Sequence, residues 1–90
     1  MSNCIAFIIE GKVQGVFYRA EAQKEAQRLG LTGFVRNEPE GTVLAVACGE
    51  PEALAAFELW LWKGPAHANV SNVRKSTSKL GPFSRFDVVR

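Results

Sequence analysis

Several features that would assign a protein to a class are scarce in this chain. Apolar runs such as residues 5–9 are far too short to span a bilayer, so no membrane partner is expected. The start, Met1-Ser2-Asn3, carries no basic cluster, and no small-residue cleavage site follows. No secretory signal is expected, and the cytoplasm is the expected compartment. The two cysteines, Cys4 and Cys48, form no Cys-x-x-Cys pair, and the single histidine, His67, stands alone. This inventory argues against a disulfide scaffold and against a metal site. His67 reads as an ordinary loop histidine. Eleven basic and nine acidic residues leave a net charge of +2, too small an excess to imply nucleic acid. It suits a small anionic substrate met at one local basic point.

What is present suits a small globular protein. Ninety residues make one domain, 1–90, and leave no room for a second. Hydrophobic residues are 47% of the chain, enough for a core, and the 22% that are charged are mixed in sign, which argues against disorder. Residues 4–9, rich in Ile and Phe, read as a central strand. Residues 11–16, with Gly11 and Gly15, read as a loop. Residues 18–29 are helix formers, with Ala22, Ala26 and Leu29 on one face and Gly30 as the left-handed cap. Strands follow at 31–36 and 42–48, separated only by the turn 38–41, which makes them an antiparallel hairpin. Pro51 opens a second helix with Leu54, Phe57 and Leu61 as its buried stripe, and Gly64-Pro65 stops it. Trp60 flanks that stripe and is expected to be more buried than Trp62. Strands at 70–77 and 83–89 complete the chain, joined by a polar connection over 76–82. This β-α-β-β-α-β order plus a fifth strand packs most economically as an α+β sandwich, an antiparallel sheet with two helices on one face.

The segment Gly11-Lys12-Val13-Gln14-Gly15-Val16-Phe17-Tyr18-Arg19 lies between a strand and a helix. Its glycines let the backbone turn sharply and approach a ligand. The N–H groups from Gly15 through Val16, Phe17 and Tyr18 to Arg19 would converge where the first helical turn leaves donors unpaired and favours an anion. Arg19 adds a planar fork matched to phosphate oxygens. The segment is neither a Walker A loop nor a Rossmann fingerprint.

The pattern Gly-x-Val-Gln-Gly-Val-x-x-Arg resembles the first signature of the acylphosphatase family. Gly33-Phe34-Val35-Arg36-Asn37, followed by Gly41-x-Val43 and then Gly49, resembles the second. The link Leu29-Gly30-Leu31-Thr32-Gly33 and the Gly64-Pro65 helix end are also similar to the family. Tyr18, Glu40 and Leu44 depart from its common Phe, Asp and Glu, and none touches Arg19 or Asn37. The resemblance implies a ferredoxin-like sandwich with strand order 4-1-3-2-5. It implies hydrolysis of carboxylic-phosphoric anhydrides without metal or cofactor. Arg19 then binds phosphate with the loop amides, and Asn37 positions water. Partners are a small acyl phosphate and inorganic phosphate, as product or inhibitor, and a monomer is the expected state.

Two such residues can suffice. An acyl phosphate already carries a good leaving group, so the tasks left are holding the phosphoryl group, spreading its charge and aiming a water in line. An asparagine can both donate to and accept from that water. The alternative reading is a non-catalytic phosphate- or RNA-binding module on the same fold, because fold does not fix function. RNA-recognition domains need exposed aromatics and a basic third strand, whereas Thr42-Val43-Leu44-Ala45-Val46-Ala47-Cys48 has neither.

With the strand order implied by the resemblance, strands one and three are antiparallel neighbours, and Cys4 meets Cys48. Side-chain alternation sets the bulkier Ile5, Phe7 and Ile9 toward the helices and Cys4 on the other face. The Glu common in the family at position 44 implies that 44, 46 and 48 share that open face. A reducing cytoplasm favours two free thiols, while an accessible, opposed pair could oxidise to a disulfide.

Overall fold

The computed structural model describes residues 3–89. Its elements are β1 (Asn3–Lys12), α1 (Tyr18–Arg28), β2 (Thr32–Asn37), β3 (Val43–Gly49), α2 (Pro51–Lys63), β4 (Asn69–Thr77) and β5 (Phe86–Val89). The sheet runs β4-β1-β3-β2-β5, the order expected. Four strands pair antiparallel, but β5 pairs parallel to β2, so the sheet is mixed and the expectation of a wholly antiparallel one is corrected. The reason is the path of the chain. β4 and β5 lie at opposite edges, so the chain leaves one edge and re-enters at the other after crossing the whole sheet.

β1 outruns its expected end, and the loop expected from Gly11 starts after Lys12. Gly11 pairs with Val70 and Lys12 with Asn69, past a register shift at Glu10/Gly11. A glycine that reads as a turn is here a β-bulge, with no room for a side chain against the Asn69 carbonyl. β5 starts three residues later than expected, because Phe83 belongs to the crossing connection.

The core lies between the sheet and both helices. Phe7 and Ile9 from β1, Val35 from β2, Val43, Ala45 and Ala47 from β3, and Phe86 from β5 are all buried. Alternation along each strand sends them to one face. From the helices come Ala22 and Ala26, then Leu54, Phe57 and Leu61. Alanines on α1 let that helix approach β2 and β5 closely, while α2 brings larger side chains over β4, β1 and β3. Phe57 stands at the centre, edge-on to Phe7 at 6.0 Å and to Phe86 at 5.8 Å. Fully burying a phenylalanine contributes about 1.5–3 kcal/mol, so this trio is a main source of stability. Trp60 is half-buried against the core and Trp62 is exposed, as the helical spacing predicts.

The other face of the sheet is covered in part, while Arg36 and Arg74 on it remain exposed. Residues 78–85 cross it as a strap. At its start Ser78 N–H donates to the Cys4 carbonyl of β1, and at its end the Arg85 carbonyl accepts from Gly33 N–H of β2. Phe83 packs edge-on against Phe34 at 5.6 Å. Val46 and Cys48, expected on an open surface, are therefore buried. Cys4 and Cys48 are directly opposed in the β1–β3 register and joined by a disulfide, their Cα atoms 4.0 Å apart. The expectation of two free thiols is thus replaced by the paired alternative. Gly81 of the strap lies against the bond: a side-chain carbon there would stand 2.7 Å from the Cys4 sulfur and 2.8 Å from that of Cys48. Among the described residues, no helix is long and apolar enough to cross a membrane.

Candidate active site

At the end of the sheet opposite the disulfide, β1 and β2 deliver two chain segments to one place. The loop 13–17 leaves β1 and enters α1, while Asn37 ends β2 opposite Val43. Between them lies a concave pocket of about 300 Å³, lined by Gly15, Phe17, Tyr18, Arg19, Asn37 and the apolar Val13, Ala20 and Val88.

The loop is held from below by Gln14. Its side-chain N–H2 donates to the carbonyls of Glu38 and Thr42, each at 2.8 Å. One amide thereby ties the loop to both sides of the β2–β3 turn and fixes its distance from Asn37. Gly15 adopts φ 73°, a left-handed conformation that glycine reaches without steric cost. Val16 turns its side chain toward the core. Phe17 caps α1 in the left-handed region and gives no side-chain hydrogen bond to the helix. The first helical bond runs from Glu21 N–H to the Phe17 carbonyl. The amides of Tyr18, Arg19 and Ala20 precede it, so they have no intrahelical acceptor and present the positive end of the helix.

Arg19 stands on the first turn of α1. One guanidinium N–H donates to the Val89 carbonyl at 3.2 Å, which ties the side chain to β5. Gln23, one turn further, donates to the Phe86 carbonyl at 3.0 Å and holds α1 against the same strand. Among the described residues no carboxylate lies in salt-bridge range of Arg19.

Asn37 is distinguished by what its side chain lacks. Its Oδ1 is buried and has no hydrogen-bond partner among the described residues. Leaving a buried acceptor unpaired costs about 1–3 kcal/mol, and such atoms call for an explanation in function.

Tyr18 points the other way from its backbone. The ring is buried, tilted against Trp60 at 5.5 Å, and its hydroxyl donates to the Leu61 carbonyl. Burial pushes its pKa well above the ordinary tyrosine value, because the phenolate would be stranded away from water. The ring therefore braces the loop, while its N–H remains at the pocket.

Of the residues expected at the phosphate loop, Gly15, Phe17, Tyr18 and Arg19 line this pocket, whereas Val16 packs against the core; Asn37, 18 positions beyond Arg19, lines it too. The expected site missed the wall from β5 and the Gln14 clamp. Val88 carries no chemical signature, and only the placement of the last strand brings it here. No group of three or more His, Cys, Asp or Glu residues among those described could hold a metal ion.

The acylphosphatase family model matches residues 5–88. An acylphosphatase of Nitrosococcus oceani is 41% identical over 88 residues, 98% of this chain and 99% of its own. The structure of an acylphosphatase from Coxiella burnetii superposes with a TM-score of 0.93 at 43% identity, covering 98% of this chain and 93% of that one. The acylphosphatase of Bacillus subtilis also gives 0.93, at 32% identity over the full length of both chains. With its fold and nearly its whole length matched, the chain belongs to the acylphosphatase family of enzymes.

Proposed function

We propose that this chain hydrolyses acyl phosphates to a carboxylate and inorganic phosphate, with Arg19 and the loop amides binding the phosphoryl group and Asn37 positioning the attacking water. The observation that carries the reading is the convergence of three features on one pocket. These are a guanidinium, the unpaired amides of a helix start, and a side-chain amide with a buried, unpartnered oxygen.

Each feature answers a need of the reaction. Water adds to phosphorus, the bond from phosphorus to the bridging oxygen breaks, and the carboxylate leaves with both electrons of that bond. The carboxylate is stable as an anion, so no general acid is needed to protonate it. Charge grows on the three non-bridging oxygens, where the Arg19 fork and the N–H groups of the first turn stabilise it. Asn37 orients the water without bringing a negative charge near the phosphate, as a carboxylate would. The water's proton passes to a phosphoryl oxygen, which asks no base of the protein. The same logic leaves no step that calls for a metal or cofactor.

The strap counts against the rival reading of an RNA-binding module. It crosses part of the sheet face on which such a module would stack bases, and Phe34, the aromatic of β2 on that face, is already engaged by Phe83. The deciding experiment is hydrolysis of benzoyl phosphate with and without chelator. Turnover that survives the chelator is expected; absence of turnover in both conditions would overturn the proposal, and turnover lost to the chelator would overturn its metal independence.

A further inference from the structure

Phe17 is the one described non-glycine residue with positive φ, at φ 63° and ψ 18°. For a bulky side chain that conformation costs on the order of 1 kcal/mol. Phe17 also occupies the N-cap of α1, where Ser, Thr, Asp or Asn would bond the first turn and Phe cannot. Phe17 is 78% exposed, more than any other large hydrophobic residue described. The conformation, the cap and the exposure are each unfavourable, and the ring has no place in the core that would offset them. Strain of this kind concentrates at ligand sites, and Phe17 lines the same pocket as Arg19 and Asn37.

The rest of the lining shows what the ring could meet. Beyond the polar groups, Val13, Ala20 and Val88 give the pocket an apolar wall, which a phosphate ion does not need. An acyl phosphate has a second end. With its phosphoryl group in the loop and against Arg19, the acyl group extends toward the mouth, where an exposed ring stands. We propose that Phe17 is a specificity-determining residue whose ring receives the acyl group and favours aromatic or other apolar acyl phosphates over acetyl phosphate. This rests on the hydrolase reading of the pocket and adds the substrate class to it.

The test compares kcat/KM for benzoyl phosphate and acetyl phosphate in the wild-type protein, in Phe17→Asn and in Phe17→Tyr. Asparagine tolerates the left-handed conformation and suits the cap, so it removes the ring with least disturbance to the loop. Taking the ratio within each variant cancels any general loss from the loop. The benzoyl-to-acetyl ratio is expected to fall roughly three- to tenfold in Phe17→Asn, the scale of a partly buried aromatic contact, and to persist in Phe17→Tyr. A ratio in Phe17→Asn equal to the wild type overturns the inference. Calorimetric binding of benzylphosphonate and methylphosphonate to the same proteins gives a readout that needs no turnover. A wild-type preference for the benzyl compound that vanishes in Phe17→Asn supports the role of the ring. Equal binding of the two by the wild type refutes it. Wild-type protein that turns over neither acyl phosphate defeats the hydrolase reading, and the phosphonates then decide on the ring alone.

Discussion

The Tyr18 hydroxyl donates to the Leu61 carbonyl at 2.5 Å, joining the first residue of α1 to the last turn of α2. The last carbonyls of a helix have no partner within it, so this bond satisfies one of them in a buried place. The hydroxyl that distinguishes Tyr18 from phenylalanine is thus spent on bracing the helix pair beside the loop 13–17.

Tyr18→Phe is expected to lower stability by about 1 kcal/mol, a fall in Tm of roughly 4–8 °C for a domain of this size. Tyr18 is also the single tyrosine, so phenolate absorbance reports on it alone. Its pKa is raised in the folded state by burial, so the unfolded chain ionises first. The stabilisation is complete below the unfolded value, near 10, and is lost as pH rises beyond it. Phenolate absorbance should therefore emerge together with unfolding seen by circular dichroism. A titration that proceeds in the folded protein would contradict the buried bond.

Arg19→Lys keeps the charge and loses the fork. Activity on acyl phosphates is expected to fall by about 10²–10³, the usual loss when an oriented donor is removed from a developing anion. Inhibition by inorganic phosphate should weaken in parallel. Turnover like that of the wild type would remove Arg19 from the mechanism.

Asn37→Ala separates function from stability. It is expected to lower kcat about 10²-fold through loss of water orientation, with inhibition by phosphate nearly intact. It also deletes a buried oxygen that has no partner. Thermal stability should then hold or rise, the trade-off common at active sites. An unchanged kcat with a raised KM would make Asn37 a binding group, and a large drop in Tm would make it a structural one.

Reduction of the Cys4–Cys48 bond is expected to destabilise without stopping catalysis. The bond closes a separation of 44 residues, for which chain entropy predicts about 4 kcal/mol. It lies at the far end of the sheet from the pocket. Cys48 is only 3% exposed and Gly81 lies over the bond, so thiol reagents should act slowly until denaturant opens the strap. Melting and thiol counts, with and without reductant, check both points. Equal melting temperatures in the two forms would show that the bond constrains nothing.

Several features of this fold could be read directly from residue order. Ala22 and Ala26, and Leu54, Phe57 and Leu61, recur at helical spacing, and each set is buried as that spacing requires. Gly30 and Gly64 end their helices because few other residues adopt the backbone those ends need. Alternation along β1 set Cys4 apart from Ile5, Phe7 and Ile9, but placing Cys48 on the same face needed the family resemblance at position 44 as well. The loop proposed to bind phosphate stood out because glycines, an arginine and a helix start occur within a single short segment. All these signals are local: they arise from backbone geometry repeating every 2 or 3.6 residues, and from conformations available to one residue type.

The tertiary structure decided what depends on segments far apart. β5 runs parallel at the edge because the connection from β4 has to cross the sheet, and that crossing buries Val46 and Cys48 on a face their own strand leaves open. The strand that brings Val88 to the pocket and the Val89 carbonyl to Arg19 lies 70 residues from that arginine. Nothing in a valine's own chemistry marks it for such a place. Asn37 carries no local sign that its oxygen will be left unpaired, because that outcome depends on which donors the loop, the turn and the last strand do not bring near it. Packing across the sheet, set by all the segments at once, assembled the pocket around residues that the chain order already supplied.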